Sequence, residues 1–127
     1  MKLDLHADQR LKLAKEMYLK AILQLSKKQE IVKQNDLVTV LDISKSSVNE
    51  MVARLKNEGL LEPDVTHSLN LTPKGAKLAN VVLKKYTIIK EFLETKLDMS
   101  EAHDEACQLE HAFSIEAVEK LDEFLKK

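Results

Sequence analysis

The fold is decided by residues 35–59, which read NDLVTVLDISKSSVNEMVARLKNEG. Apolar residues three and four apart share one side of a helix, so Leu37 and Leu41 predict a short helix with one buried face. Ser44 comes next, after a turn, and has the small hydroxyl side chain that is favoured at a helix N-cap. A second helix then continues to Gly59, because glycine readily adopts the left-handed conformation that ends many helices. The stretch therefore predicts two short helices joined by a tight turn.

Other helices and one β element are predicted on both sides of this stretch. A first helix fits residues 8–26, whose apolar positions follow the spacing of one buried face. Alternating apolar residues predict a small hairpin over 60–71. A long helix then fits residues 73–97, and two shorter helices follow with Ser100 and Ser114 as their N-caps.

The order of these elements predicts a mainly α protein with two domains. Only two glycines and two prolines occur in 127 residues, so most of the chain is expected to be helical. Helix, short helix, turn, helix and hairpin is the order of a winged helix-turn-helix, which holds an exposed helix at a width that fits the DNA major groove. Residues 1–72 are therefore predicted to form a DNA-binding domain, and residues 73–127 a second, helical domain.

Charge is distributed unevenly along the chain, although the formal net charge is only −1. Residues 1–96 contain 17 Lys and Arg against 12 Asp and Glu, whereas residues 97–127 contain 3 against 9. The first part can therefore face a polyanion such as nucleic acid, and the acidic remainder cannot. Asymmetry of this size is also common among helical proteins, so it orients a nucleic-acid hypothesis without establishing one.

The start of the helix after Ser44 is the part of such a fold that faces the major groove. Serine and asparagine form hydrogen bonds with phosphates and base edges, and lysine and arginine pair with phosphates. A carboxylate at Glu50 accepts a hydrogen bond from cytosine but repels phosphate; alternatively, Glu50 is a capping-box partner of Ser47 and does not touch DNA. The candidate DNA-binding residues are Lys45, Ser46, Ser47, Asn49, Glu50 and Arg54.

Several locations and classes are disfavoured by composition. No apolar run approaches the roughly 18 residues of a membrane span, and the N-terminal segment is too charged for a secretory signal. Cys107 is the single cysteine, so no intramolecular disulfide can form. The reducing cytoplasm is therefore the expected location.

A candidate metal-binding pattern occupies residues 103–111, which read HDEACQLEH. On a helix, four side chains of this segment share one face, because they are separated by four, seven and eight residues. A thiolate, a carboxylate and two imidazoles offer metal ligands of mixed softness. The alternative is a partly buried cysteine with two surface histidines on an acidic helix. The four residues are His103, Cys107, Glu110 and His111.

Four segments of the chain closely resemble, in order and spacing, the diphtheria-toxin-repressor family of metal-dependent transcriptional regulators, which includes the manganese transport regulators. The segments are Glu16–Leu19, Ser44–Arg54, Leu71–Gly75 and His103–His111. The resemblance covers about residues 14–125, and the last segment is its specific part. It implies a homodimer, a second domain that binds metal and dimerises, and a short form that lacks the C-terminal SH3-like domain of longer members.

The resemblance also implies a primary metal site made by Met17, Cys107, Glu110 and His111. A divalent transition metal is the implied cofactor. Thioether and thiol ligands suit Fe²⁺ better than Mn²⁺, which prefers carboxylate and water. Iron is therefore favoured over manganese as the bound metal.

An ancillary metal site of the family combines the residue that matches His103 with a histidine and a glutamate on the long helix. This chain has Tyr86 and Lys90 at those two positions. A neutral phenol is a poor ligand and a protonated lysine cannot ligate, so one metal per chain is expected. There are two possibilities for Lys90. Its ammonium group supplies the positive charge that the missing ion would have supplied, beside an acidic side chain between residues 104 and 110, or its side chain points to solvent.

These observations predict an iron-responsive, metal-dependent repressor of metal homeostasis genes, which acts as a homodimer on a double-stranded DNA operator. No membrane and no small-molecule substrate is expected. A second hypothesis is a winged-helix metal sensor or adaptor that binds a protein partner instead of DNA. An enzyme with Cys107 as nucleophile and His111 as base is disfavoured, because no glycine-rich loop offers an oxyanion hole. Five apolar residues near the C-terminus form either a dimer surface or internal core: Ile115, Val118, Leu121, Phe124 and Leu125.

Overall fold

The computed structural model describes residues 6–63 and 67–127, with side chains from residue 9 onward. Within these ranges the chain forms six α-helices, which confirms the prediction of a mainly α protein. The helices are α1 His6–Ser26, α2 Gln34–Leu41, α3 Lys45–Asn57, α4 Pro73–Thr95, α5 His103–Leu109 and α6 Ile115–Leu125. No helix in the described part of the chain has the length and apolar character needed to cross a membrane.

The chain divides into two compact units, Met1–Asn80 and Val81–Lys127. The division falls inside α4, so this helix contributes its first turns to one unit and the rest to the other. Each unit has its own set of buried apolar residues and is described separately.

In the first unit, α2 and α3 form a helix-turn-helix that packs on α1. The turn is sharp because Asp42 takes a left-handed conformation with φ 55° at the end of α2. Ser44 then caps α3, and its Oγ accepts a hydrogen bond from the backbone N–H of Ser47 at 3.1 Å. The predicted turn and cap are confirmed. The core of this unit includes Leu19, Ile22, Leu37, Val48, Val52 and Leu55.

The wing, residues 60–71, is less regular than the predicted hairpin. Leu61 and Leu71 form an antiparallel bridge, and the N–H of Glu62 donates to the carbonyl oxygen of Asn70 at 2.8 Å. In the described part of the wing no strand extends beyond this bridge. The turn of the predicted hairpin would include residues 64–66, which lie outside the described residues.

The junction between α3, the wing and α4 is held by hydrogen bonds from one side chain, Thr72, to the backbone. Gly59 has φ 74°, the left-handed conformation predicted for the end of α3. The hydroxyl of Thr72 donates to the carbonyl oxygen of Gly59 at 2.6 Å and accepts from the N–H of Gly75 at 3.0 Å. Thr72 therefore caps α4 and fastens its first turn to the end of α3.

The second unit consists of the remainder of α4 with α5 and α6, packed around six buried residues. These are Ile88, Ile89, Leu93, Ala102, Ala106 and Val118. Ser114 caps α6 as predicted, since its Oγ accepts from the N–H of Ala117 at 3.0 Å. The predicted cap at Ser100 is wrong: α5 begins at His103, and its N-cap position is taken by Ala102.

The apolar residues of α6 divide between the two roles that the sequence left open. Val118 is fully buried in the core of the second unit, and Leu121 and Leu125 are partly buried against it. Ile115 and Phe124 are 43% and 47% exposed. One edge of the Phe124 ring contacts Phe92 of α4, with the ring centroids 6.2 Å apart. These two are the large apolar side chains of α6 that stay exposed within the unit.

Candidate metal centre and nucleic-acid interface

The helix α3 separates its polar and apolar residues cleanly. All six candidate DNA-binding residues, Lys45, Ser46, Ser47, Asn49, Glu50 and Arg54, are exposed. Val48, Val52 and Leu55 of the same helix are at most 1% exposed and anchor it to the core. Because the apolar residues recur every three to four positions, the polar ones are left together on the opposite face. The six residues therefore form one accessible polar surface.

The structure excludes one of the two roles considered for Glu50. Ser44, and not Ser47, is the N-cap of α3, so the capping-box pairing of Glu50 with Ser47 is wrong. Glu50 instead lines an open cleft of about 610 Å³ between α1 and α3, where Ser47 and Arg54 also lie. Its carboxylate thus stays on the polar side of α3.

A second cleft of the first unit brings together the start of α2, the start of α3 and the wing. Its volume is about 320 Å³, and its lining residues are Lys33, Gln34, Asn35, Lys45, Asn49 and His67. Two lysines and three side-chain amides without a carboxylate make this cleft suited to an anion such as a phosphate group. Gln34 and Asn35 were missed as candidates, because their proximity to α3 and the wing depends on the tertiary fold and leaves no local signal in the sequence.

The candidate metal ligands of the second unit do not all lie on one regular helix. Helix α5 ends at Leu109, and Glu110 continues its path with a helical hydrogen bond from its N–H to the carbonyl oxygen of Ala106 at 2.9 Å. His111 lies beyond the helix in a turn. The assumption that His103 and His111 share one helix face is therefore wrong at its C-terminal end.

Two close pairs form among these candidates. His103 and Cys107 approach to 3.7 Å between Nε2 and Sγ. Glu110 and His111 approach to 3.1 Å between Oε2 and Nε2, with side chains 0% and 7% exposed. In the part of the chain that is described, no group of three or more His, Cys, Asp and Glu side chains is arranged to hold a metal ion. The four residues thus form two separate pairs, His103 with Cys107 and Glu110 with His111.

Met17, the remaining candidate ligand, belongs to α1 in the first unit. Its side chain is 40% exposed, whereas its neighbour Glu16 and the residue one turn later, Lys20, are buried. An exposed thioether is available to a ligand without rearrangement of the core. Met17 belongs to the first unit, whereas the other four candidate ligands belong to the second.

The donor set of the second unit fits a divalent transition metal. A carboxylate and an imidazole are buried, with Oε2 of Glu110 and Nε2 of His111 3.1 Å apart, and the burial of such groups is costly unless each has a polar or charged partner. With the half-buried thiol of Cys107, they offer oxygen, nitrogen and sulfur donors, a mixture that favours iron-like or zinc-like ions over Ca²⁺ or Mg²⁺. By their donor chemistry, Glu110, His111 and Cys107 are candidate ligands for such an ion, although, among the described residues, the three side chains do not form one cluster.

Lys90 forms an ion pair on its own helix. Its Nζ lies 2.9 Å from Oε2 of Glu94, one turn further along α4. Neither alternative considered from the sequence, an acidic partner between residues 104 and 110 or a side chain free in solvent, describes this contact. The hydrogen bond from Lys90 lowers the pKa of Glu94 below its ordinary value and raises the pKa of Lys90.

Tyr86, which the sequence marked only as a poor ligand, has a polar partner on the neighbouring helix. Its hydroxyl lies 2.7 Å from Nδ1 of His103. This contact joins α4 to the start of α5 within the second unit. No sequence signal could have revealed it, since it depends on how the two helices pack.

Comparison with known protein families matches nearly the whole chain. Residues 10–66 match the family model described as iron dependent repressor, N-terminal DNA binding domain. Residues 72–127 match the model described as iron dependent repressor, metal binding and dimerisation domain. Residues 67–71 of the wing lie between the two matches.

Individual relatives agree with these matches. The diphtheria toxin repressor of Corynebacterium glutamicum is 34% identical over 112 residues, which is 87% of this chain and 49% of that protein. An uncharacterised HTH-type transcriptional regulator of Methanocaldococcus jannaschii is 37% identical over 98 residues, covering 76% of this chain and 78% of that protein. The solved structure of the manganese regulator SloR is 38% identical, with a TM-score of 0.79 over 88% of this chain and 53% of that one. The chain thus spans about half the length of the diphtheria toxin repressors that it matches.

Proposed function

The chain belongs to the family of iron-dependent repressors, and on that premise we propose that it is a metal-dependent DNA-binding transcriptional repressor of metal homeostasis genes. It acts in the cytoplasm as a homodimer on double-stranded operator DNA. The observation that carries this proposal is the surface of α3, where all six candidate DNA-binding residues are exposed while the apolar residues of the helix are buried.

The DNA contacts divide by chemistry. Ser46, Ser47 and Asn49 form hydrogen bonds with base edges, and Asn49 is suited to adenine. Lys45 and Arg54 pair with backbone phosphates, which supplies affinity without sequence preference. The cleft between α2, α3 and the wing supports this division, because its lysines and amides surround a space that fits a phosphate group.

One metal ion per chain is proposed, with Met17, Cys107, Glu110 and His111 as its ligands. A bound divalent ion would supply a positive centre shared by these donors. Fe²⁺ is preferred over Mn²⁺, because the thiol and thioether are soft ligands. Metal and operator then bind with a reciprocal coupling of about 1–3 kcal/mol, so metal raises DNA affinity by roughly 5- to 150-fold.

The proposal is tested by fluorescence anisotropy of the protein with DNA from upstream of its own gene, without oxygen, with and without Fe²⁺. His111→Ala removes one proposed ligand, and Gln108→Ala changes an exposed residue nearby on α5 as the matched control. We expect Fe²⁺ to raise the affinity of the wild type and the control, and to have no effect on the folded His111→Ala dimer. A parallel titration with Mn²⁺ tests the metal preference.

Each contrary result points to a different error. Metal stimulation that survives in His111→Ala would rule out the proposed site. Equal DNA affinity with and without Fe²⁺ in the wild type would contradict the metal-sensing role and leave the DNA-binding role in place. If the wild type does not bind DNA under either condition, the adaptor that binds a protein partner becomes the better hypothesis.

A further inference from the structure

The side of α3 that faces away from the core carries a carboxylate, that of Glu50. The helix is fixed to the core by Val48, Val52 and Leu55, which are at most 1% exposed. At about 100° per residue, Glu50 lies roughly 140–160° round the helix from each of these three residues. Ser46, one turn earlier, is exposed on the same side. Glu50 therefore projects outward from the middle of the polar surface of α3.

The two residues proposed to contact phosphates lie on either side of Glu50. Lys45 and Asn49 line the cleft with the start of α2 and the wing. Arg54 lines the cleft toward α1, and Glu50 borders that cleft as well. If Lys45 and Arg54 approach the phosphates that border the major groove, the middle of the helix faces the base edges. This arrangement places Glu50 over bases.

The carboxylate of Glu50 is available to a hydrogen-bond donor. Glu50 is the single acidic residue of α3, and among the residues that the structure describes no side chain pairs with it. The next carboxylate along the chain is in a different position, since Glu58 is held by Lys15 at 2.7 Å. A carboxylate in the major groove is repelled by the phosphates, so its presence favours DNA only where a base donates to it.

The groups that the bases present in the major groove decide which base this is. The donors there are the amino groups of cytosine and adenine. On adenine the amino group adjoins N7, an acceptor that repels a carboxylate, whereas cytosine presents its amino group at N4 without an acceptor of its own. An amide side chain both donates and accepts, so it matches adenine instead. A carboxylate therefore selects cytosine.

We propose that Glu50 is a specificity-determining residue, which accepts a hydrogen bond from N4 of one cytosine in each half of the operator. This inference rests on the proposed function, because it takes α3 as the helix that enters the major groove. It does not depend on which residues bind the metal. In a symmetric dimer the contact occurs twice, so one C·G pair is required at the same distance on either side of the operator centre.

The test compares the wild type with Glu50→Gln, which keeps the shape of the side chain and exchanges the carboxylate for an amide. Each protein selects its sites from a random-sequence DNA library, with Fe²⁺ and without oxygen. We expect the wild type to select cytosine at one position of each half-site, and Glu50→Gln to select adenine there and the same bases elsewhere. Glu119→Gln, the same change at an exposed residue of α6, is the matched control and should select the wild-type sites.

The second readout is fluorescence anisotropy with two duplexes, the selected site and the same site with its two C·G pairs changed to A·T. The wild type should bind the changed duplex more weakly, by roughly 5- to 150-fold for each changed pair. Glu50→Gln should prefer the changed duplex. Glu50→Ala, which can neither donate nor accept, should bind the two duplexes with similar affinity.

Three results would overturn the inference and leave the proposed function in place. They are wild-type sites without a required cytosine, a Glu50→Gln variant that selects the wild-type bases and binds every sequence more tightly, and a variant whose preference changes at many positions. The second result would mean that Glu50 only repels phosphates, and the third that it determines how the helix docks. A wild type that selects no sequence, with or without Fe²⁺, would contradict the proposed function and the inference together.

Discussion

At residue 75 the backbone of α4 passes so close to the backbone of Leu60 that no side chain fits between them. A Cβ atom at Gly75 would overlap the carbonyl oxygen of Leu60 and crowd its carbonyl carbon. Gly75 is buried and follows the capping residue Thr72 by three positions. Glycine is required here for close approach and not for its backbone conformation, since Gly75 is not among the residues with positive φ.

Gly75→Ala is therefore expected to lower the free energy of unfolding by about 1–3 kcal/mol, because the added methyl group meets backbone that cannot rotate away. The measurement is urea denaturation followed by circular dichroism. Gly59→Asn is the control: it places a residue that tolerates positive φ where a Cβ atom meets nothing within 4 Å. Equal destabilisation by both variants would contradict the role of close approach.

Single residues also show where sequence reasoning stops. Ser100 has the side chain of an N-cap and stands three residues before α5, yet Ala102 takes the cap position. The chain reverses at Asp98, whose φ is 58°, and the N–H of Met99 donates to the carbonyl oxygen of Leu93 at 3.0 Å. The turn that ends α4 and the burial of Ala102 together place the start of α5, and the sequence analysis used neither of them.

Among the helices, α6 depends on a single side-chain cap. Ser114→Ala removes the hydrogen bond to the N–H of Ala117, so we expect a loss of about 1 kcal/mol in the free energy of unfolding. Ser100→Ala is the matched control and should change stability by less than about 0.5 kcal/mol, because Ser100 does not cap α5. Urea denaturation of both variants measures the difference. A loss in Ser100→Ala as large as that in Ser114→Ala would show that the cap is not its cause.

At the scale of the elements, the apolar periodicity of a helix was a better predictor of its exposed face than the intervals between candidate metal ligands were of a shared site. The exposed face of α3 followed from its apolar residues, because a regular helix of 13 residues fixes which side chains share a side. The metal-binding segment did not obey the same rule, since α5 has only seven residues and His111 lies past its end. The wing was predicted as a hairpin, and its described residues form one bridge; the N–H of Leu69 in the wing donates outside it, to the carbonyl oxygen of Val32.

Over the whole molecule, the charge distribution makes salt dependence a direct test of the proposed DNA binding. If a dimer contacts roughly six phosphates, the logarithm of the association constant should fall with the logarithm of salt concentration at a slope of about −5. Lys45→Gln removes two positive charges per dimer and should make the slope less steep by about 2. Anisotropy titrations over a range of salt concentrations measure both slopes.

Lys120→Gln supplies the control for that experiment, because Lys120 is exposed on α6 in the acidic part of the chain. Its slope should equal that of the wild type. If Lys120→Gln changed the slope as much as Lys45→Gln does, net charge and not contact with phosphate would govern the salt dependence.

The continuity of α4 across the two compact units has a consequence for recombination between relatives. A chimera joined at residue 72 would take Gly75 and Ala79 from another protein, although both are buried in this one. A junction beyond Asn80 would keep these residues together with the rest of the first unit, from the same protein. Exchange of DNA-binding halves within the family should therefore succeed best when the donor half carries the first two turns of this helix with it.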